Sequence, residues 1–142
     1  MLRLLVATDG SDNANHVIDH VIRQAGRCAE PVEVHLLNVQ MPLASVHIKL
    51  FISLKDLNAY YHDEGMAALN SGREKLGAAG INHAFHVGVG DPAEVIVQFA
   101  EDKRCEQIVM GSRGMGTVSN LVLGSVATKV IHLAKVPVLL VK

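Results

Sequence analysis

Short apolar runs alternate with segments of helical periodicity along the whole chain. The run RLLVAT at 3–8, followed by Asp-Gly-Ser, is typical of a strand buried in a parallel sheet. Apolar positions at helical spacing follow at 13–27, where Ser11 or Asp12 can cap the first turn. The alternation continues and predicts strands at 32–39, 81–88, 107–111 and 136–142, and helices at 55–79, 92–103 and 121–135. Residues 41–54 show neither pattern clearly.

The clearest helix start lies after the third predicted strand. Asp91 stands at the N-cap position, Pro92 at the first helical position and Glu94 three residues after the cap. The letters GVGDPA at 88–93 also match the dinucleotide fingerprint G-x-G-x-x-A. They follow the third strand rather than the first, and Asp91 would place negative charge where a pyrophosphate must sit. We therefore interpret this stretch as a turn with a capping box.

The order of the elements predicts an α/β fold. Strands that alternate with helices form a parallel sheet covered on both faces, with right-handed crossovers. We expect five strands in the order 3-2-1-4-5, with the more polar third strand at one edge. The sequence shows no linker, repeat or low-complexity tract, so residues 1–142 are expected to form a single domain.

Composition excludes several classes of function. The chain has 142 residues, 49% hydrophobic and 19% charged, with a formal net charge of -1. It has no basic block for nucleic-acid phosphates and no apolar run near the roughly 18 residues of a membrane span. The first residues do not resemble a signal peptide, so a cytoplasmic protein is expected. Cys28 and Cys105 are then expected to be reduced thiols.

The segment GSRGMGTVSNLVLGSVATKV at 111–130 carries the candidate chemistry. In an open α/β sheet, ligands bind where the strand order reverses, here between the first and fourth strands. Asp9 follows the first strand and Gly111 ends the fourth, so both loops should meet at one crevice. Glycines admit close backbone approach, and a nearby helix start favours an anion. These features suit phosphates, although a turn followed by a helix cap would also explain them.

Two other phosphate-binding motifs do not fit. Gly111 and Gly116 have P-loop spacing, but Thr117 and Val118 stand where lysine and serine or threonine belong. An ATP pyrophosphatase of similar fold would carry Ser-Gly-Gly-x-Asp-Ser after the first strand. Here TDGSDN has Asp9 in place of a glycine.

The spacing G-x-x-G-x9-G-[ST] at 111–125, with VATDGS near the start and VPVLLV at the end, resembles the universal stress protein family. The resemblance covers essentially the whole chain and is to the ATP-binding branch. It implies a Rossmann-like fold, similar to the adenine nucleotide alpha hydrolases. It also implies binding of ATP, or of ADP or AMP, with Mg²⁺.

The resemblance also implies a set of site residues. Adenine would lie near Ala7, Thr8, Asp9 and Val39, and Val39 would offer backbone hydrogen bonds. Ribose and phosphates would meet Met110, Gly111, Ser112, Arg113, Gly114, Gly124, Ser125 and Val126. The Arg113 guanidinium can pair with phosphate oxygens, or it is a solvated loop residue. Asp9 would accept from adenine or ribose, help to hold Mg²⁺, or cap the first helix.

The histidines do not predict a metal site. His16 and His20 have the i, i+4 spacing that can hold zinc, but no third ligand accompanies them, so we expect solvent-exposed helix residues. His83 and His86 should face opposite sides of their strand. No catalytic triad or acid–base carboxylate pair can be assigned from spacing, so any ATP hydrolysis should be slow.

The last strand, VPVLLV, is strongly apolar yet falls at an edge of the expected sheet. A homodimer joining two such strands would cover it, as the resemblance also implies; helices could cover it instead. The favoured hypothesis is a dimeric stress-response nucleotide binder whose state is read by a regulatory partner. The alternatives are an ATP-hydrolysing enzyme and a nucleotide-free dimeric interaction module.

Overall fold

The computed structural model describes residues 1–43, 52–112 and 123–142. Strands and helices alternate through these ranges. The strands are β1 (Leu2–Ala7), β2 (Val32–Gln40), β3 (Asn82–Val89), β4 (Gln107–Gly111) and β5 (Val138–Val141). The helices are α1 (Asp12–Ala25), α2 (Leu54–Ala78), α3 (Pro92–Asp102) and α4 (Ser125–Leu133).

The strands form one parallel five-stranded sheet in the order β3-β2-β1-β4-β5. This confirms the predicted order, with β3 and β5 at the two edges. The central strand β1 pairs with β2 through Leu5 opposite His35 and with β4 through Val6 opposite Val109. The reversal of strand order therefore lies between β1 and β4.

Both faces of the sheet are covered, because successive residues of each buried strand point to opposite sides. Helices α1 and α2 cover one face, and their core includes Val6, Ile18, Leu36, Leu69 and Leu76. Helices α3 and α4 cover the other, and their core includes Leu5, Leu37, Ile96, Ile108 and Val130. None of the helices in the described ranges is long and apolar enough to span a membrane.

The predicted helix boundaries agree with the structure to within two residues, except for the start of α4. The sequence pattern extends the last helix back to residue 121, but Gly124 is an extended N-cap residue with φ −62° and ψ 155°. Leu123, at the edge of the described range, also precedes the helix. The expectation of helix before Ser125 is therefore wrong at both residues. Apolar spacing continues across the boundary, and glycine, the weakest helix former after proline, stands at the point where the helix begins.

Candidate functional site

A cavity of about 320 Å³ lies beyond the carboxyl ends of β1, β2 and β4. The starts of α1, α3 and α4 contribute to the rest of its wall. Every predicted site residue within the described ranges lines it, namely Ala7, Thr8, Asp9, Val39, Met110, Gly111, Ser112, Gly124, Ser125 and Val126. Arg113 and Gly114, the two remaining predicted residues, lie outside the described residues. The topology thus brings together segments that are more than 100 residues apart in sequence.

The loop after β1 is held in a fixed shape by its own backbone and side chains. The Thr8 N–H donates to the Leu37 carbonyl (2.9 Å), and the Thr8 hydroxyl oxygen accepts from the Gly10 N–H (3.2 Å). Asp9 Oδ1 accepts from the Ser11 N–H (3.0 Å). The cap of α1 is Ser11, whose hydroxyl oxygen accepts from the Ala14 N–H (3.1 Å). Asp9 therefore shapes the turn and lines the cavity, while the capping role falls to Ser11.

Gly10 lies where this loop contacts α2. Its φ of +80° lies in the left-handed region that favours glycine. A Cβ at this position would lie 2.9 Å from the Ala68 Cα, which is backbone and cannot rotate away. The absence of a side chain at Gly10 therefore lets the loop rest directly on the helix beside the cavity.

Asn38 is a site residue that sequence reasoning missed. It is only 4% exposed, and its amide nitrogen donates to the Thr8 carbonyl at 2.8 Å. Its amide oxygen accepts from the Gln40 side chain at 2.7 Å. These bonds fix the end of β2 to the loop after β1. The available signal was a single asparagine within the apolar run VEVHLLNV, since a buried amide needs hydrogen-bond partners.

Other missed residues form the apolar part of the wall. They come from the end of β2 and from three helices beside the cavity: Ala14, Leu37, Met41, Pro92, Ile96 and Ala127. Leu37 follows from the same strand-end rule that located Asp9 and Gly111. The α3 residues could be placed only once the packing of α3 over β2 and β1 was known.

Strand β2 continues past the end of β1. The pairing of β1 with β2 ends at Ala7 opposite Leu37, whereas β3 pairs with β2 as far as Gln40. The Leu37 carbonyl faces β1, because it accepts from Thr8. Val39, two residues on, presents its backbone groups on the same side, beyond the point where β1 leaves the sheet. The cavity is therefore bordered there by the peptide groups of Val39.

Ser112 and Gly124 are hydrogen-bonded to each other at the end of β4. The Ser112 N–H donates to the Val141 carbonyl (3.0 Å), and the Ser112 carbonyl accepts from the Gly124 N–H (2.8 Å). Ser112 is 7% exposed, so this junction is buried. Ser112 and Gly124, which flank residues 113–122, therefore lie side by side where α4 begins.

Helix α4 starts at the cavity with an open N-terminus. Its N-cap, Gly124, has no side chain to accept from the first turn, and no side-chain cap bond occurs among the described residues. The first N–H groups of an α-helix have no partner within the helix and carry partial positive charge. Ser125, Val126 and Ala127 are these residues, and all three line the cavity.

An ion pair joins the two helices of the wall. Lys129 Nζ lies 3.0 Å from Asp91 Oδ2 and 3.6 Å from Glu94 Oε1. Asp91 also caps α3, accepting from the Glu94 N–H at 3.1 Å, which confirms the predicted cap. The Lys129 contact and then this N–H lower the pKa of Asp91, and the pKa of Lys129 is raised in return, chiefly by Asp91. Lys129 thus holds α3 and α4 together.

The remaining candidate groups lie elsewhere. His16 is exposed, His20 is half-buried, and His83 Nδ1 lies 2.8 Å from the Ile81 carbonyl oxygen. Within the described ranges, no three histidine, cysteine or acidic side chains are arranged to hold a metal ion. Both cysteines are free thiols, and burial, followed by the charge of Glu33, raises the pKa of Cys105 to about 11. The Cys105 thiol is therefore protonated at neutral pH.

Comparison with protein-family models decides the family. The model of the universal stress protein family matches residues 1–142. The chain belongs to this family. A universal stress protein from Methanocaldococcus jannaschii, MJ0531, is 32% identical over 141 residues, which cover 99% of this chain and 81% of the relative. The universal stress protein YxiE of Bacillus subtilis is 29% identical over 147 residues, covering 99% and 98% of the two chains.

Solved structures of universal stress proteins share the fold. The M. jannaschii protein MJ0577 aligns with a TM-score of 0.84 and 30% identity, covering 99% of this chain and 95% of its own. An Arabidopsis thaliana family member with AMP bound aligns at 0.71 and 21%, covering 100% and 92%. A universal stress protein from Archaeoglobus fulgidus in complex with dAMP aligns at 0.65 and 24%, covering 100% and 98%.

Proposed function

We propose that this universal stress protein binds an adenine nucleotide, ATP or else ADP or AMP, in the cavity beyond β1, β2 and β4. The observation that carries the proposal is the open start of α4 at a cavity lined by every described residue of the predicted site. Unpaired N–H groups at a helix start suit phosphate oxygens. The AMP and dAMP complexes of proteins with this fold support the same ligand class.

The two ends of the cavity suit different parts of the nucleotide. The base would lie at the β1–β2 end, between the apolar side chains of Ala7, Leu37 and Val39, where the Val39 peptide groups can pair with adenine. The phosphates would lie at Gly124, Ser125 and Val126. Asp9 brings a carboxylate to the cavity, and carboxylate oxygens are ligands that Mg²⁺ prefers. Asp9 would then bind the ribose or the metal rather than the phosphates.

The proposed mode of action is regulatory rather than catalytic. Lys129, beside the start of α4, is engaged by Asp91 and Glu94. Strong neutralisation of a leaving phosphate by this lysine would require breaking both contacts, so we expect at most slow hydrolysis. A nucleotide that stays bound can mark a state of the protein for a regulatory partner to recognise.

We further propose that the protein acts as a homodimer through β5. This strand is the edge of the sheet, and all four of its residues are half-buried rather than exposed. Beside it, Ile131 and Leu133 of α4 are 45% and 40% exposed. An apolar edge of this kind is satisfied by pairing with a second copy. Sedimentation analysis tests this part, and a monomer at all concentrations would overturn it.

The nucleotide site is tested with Ser125→Glu. Ser125 is the first residue of α4, so a glutamate there suits the positive end of the helix but repels a phosphate. Leu54→Glu is the matched control, since Leu54 is the first residue of α2, is 73% exposed, and acquires the same charge. Calorimetry with ATP and Mg²⁺ should show affinity at least about tenfold weaker in Ser125→Glu and unchanged in Leu54→Glu.

Each other outcome has a defined meaning. Equal affinity in both variants would mean that the phosphates do not bind at the start of α4. Failure of the wild type to bind ATP, ADP or AMP would favour a nucleotide-free interaction module. ATP turnover well above background that is lost in Ser125→Glu would favour an ATP-hydrolysing enzyme.

A further inference from the structure

Two histidines on the α3 side of the sheet form a direct ring-to-ring contact. Nδ1 of His35 on β2 lies 3.0 Å from Nε2 of His86 on β3. The ring centroids are 5.3 Å apart and the ring planes differ by only 13°. The ring planes are therefore nearly parallel, and the distance between the two nitrogens is that of an N–H···N hydrogen bond.

This contact depends on the number of protons that the two rings hold. A neutral imidazole has one N–H donor and one acceptor nitrogen, whereas imidazolium has two donors. The bond therefore forms when the pair is neutral, and also when one ring has gained a proton. With both rings protonated, two N–H groups and two positive charges would face each other at the same short distance.

Charged groups flank the pair on both sides, and the environment of His86 disfavours a proton on that ring. On β1 and β2, Arg3 holds the Glu33 carboxylate at 3.0 Å, and that carboxylate lies 3.6 Å from Nε2 of His35. On the α3 side, the Phe99 ring lies 5.4 Å from the His86 ring, and Lys103 follows the helix. Burial first, then the charges of Lys103 and His35, lower the pKa of His86.

We propose that His35 and His86 form a pH-sensitive latch that holds the edge strand β3 and helix α3 in place. Acidification adds the second proton, breaks the ring-to-ring bond and drives His86 away from His35, against Phe99. Helix α3 then loses part of its support on the sheet. Because Pro92 and Ile96 of the same helix line the cavity, the cavity wall loosens with it.

The direction of the pH effect follows from the pKa of His86. The folded protein binds the proton of His86 less readily than the unfolded chain does, whose histidines have a pKa of about 6.5. Folding stability contributed by the latch is therefore complete above about pH 6.5. It is lost as the pH falls from there through the lowered folded pKa, and it changes no further below that value.

The first test is a pH titration of ¹⁵N-labelled histidine side chains by NMR. The latch predicts that His35 and His86 titrate together in two steps, separated by about one pH unit or more. A coupling between the two nitrogens across the hydrogen bond should vanish in the lower step. In His86→Gln the two-step titration should collapse to one. Two independent titrations in the wild type, without the coupling, would overturn the proposal.

The second test measures stability, and it does not depend on any ligand. Urea unfolding midpoints at pH 7.5 and 5.0 are compared for the wild type, His86→Gln and His35→Gln. Glutamine can still hydrogen-bond across the pair but cannot take up a proton. In the wild type, the urea midpoint should be lower at pH 5.0 than at pH 7.5. This difference should be smaller by about half in either variant, and a difference as large as in the wild type would overturn the proposal.

The matched control is His83→Gln. His83 lies on the same strand, three residues from His86 and on the opposite face of the sheet, and its ring contacts the Ile81 carbonyl oxygen. This variant removes one histidine without touching the latch. Its urea midpoint should fall between pH 7.5 and pH 5.0 by as much as that of the wild type. If this fall is reduced as much as in His86→Gln, the contact between His35 and His86 does not cause it.

Discussion

The helices of this fold begin in two different ways. Helices α1, α2 and α3 are each capped by a side-chain oxygen, from Ser11, Ser53 and Asp91 respectively. Helix α4 begins at Gly124, with no side-chain cap bond in the described part of the chain. A capping oxygen satisfies N–H donors that would otherwise need water or a ligand. Within the described ranges, a side chain thus satisfies one such donor at each of three helix starts and none at the start with a glycine cap, which borders the proposed phosphate site.

This difference separates two uses of the same local chemistry. At α1 the polar side chains after β1 bond to the backbone: Thr8 and Asp9 accept N–H groups of the loop, and Ser11 accepts the N–H of Ala14 in the helix. At α4 the residues that carry the corresponding N–H groups line the cavity. The first arrangement fixes the shape of the loop after β1. The second leaves partial positive charge at the start of α4, beside the cavity.

The largest effect on stability is expected in the loop after β1, from Gly10→Ala. A left-handed alanine is strained, and its Cβ would meet the backbone of Ala68 at 2.9 Å, so the free energy of unfolding should fall by about 2 kcal/mol or more. Gly80→Ala is the control, because Gly80 has φ +69° with no atom within 4 Å of the added Cβ. Denaturant unfolding should show a loss of about 1 kcal/mol there. Equal losses would mean that contact with α2 does not fix the loop.

The next effect concerns the cap itself. Ser11→Ala removes the oxygen that accepts from the Ala14 N–H and should lower the free energy of unfolding by about 1 kcal/mol. Ser53→Ala removes the same kind of bond at the more exposed start of α2 and serves as the comparison. Thermal unfolding of both variants measures the effect. If neither loses stability, the capped helices gain nothing from their caps and the contrast with α4 has no energetic meaning.

The sequence predicted the sheet well because its signals are local. Short apolar strands such as RLLVAT and the Asp91–Pro92 helix start are determined by neighbouring residues, and both appear in the structure as expected. The regular alternation of elements predicted a parallel sheet, and the expected strand order is confirmed by the structure. The start of α4 was placed too early because apolar spacing runs through Leu123, and a periodic pattern does not reveal where the first intrahelical hydrogen bond forms.

The candidate site was predictable where it follows the ends of strands. Asp9 and Gly111 were found in this way, and the resemblance to the family supplied Ala7, Val39 and Val126. Asn38 was missed because its importance lies in bonds to Thr8 and Gln40, which exist only after β1 and β2 have paired. Ile96 was missed because its place in the wall depends on how α3 packs over the sheet. Both omissions concern contacts between elements rather than patterns within one.

A smaller effect is expected from Gly124→Ser, which would give α4 the cap that it lacks. Gly124 already has extended dihedral angles, so serine fits its backbone, and the free energy of unfolding should rise by a few tenths of a kcal/mol. The serine oxygen would take an N–H donor that the nucleotide is proposed to use, so affinity should fall. Ser53→Gly is the reciprocal control and should lose a few tenths without any change in affinity. A variant that binds more tightly would contradict the proposed use of these donors.

The smallest effect is expected at Asp91, which caps α3 and pairs with Lys129 of α4. Because the pKa of Asp91 is lower in the folded protein, chiefly through Lys129, its charge stabilises the fold above about pH 4. This contribution is lost as the pH falls through the lowered pKa. Asp91→Asn keeps a capping oxygen but no charge, so its small deficit in thermal stability at pH 6 should vanish by about pH 2. Asp19→Asn, which removes the ion pair with Lys75 but no cap, should lose its deficit over a similar range, because the pKa of Asp19 is also lowered by its lysine. A deficit in Asp91→Asn that persists unchanged in acid would show that the geometry of the cap, rather than its charge, joins the two helices beside the cavity.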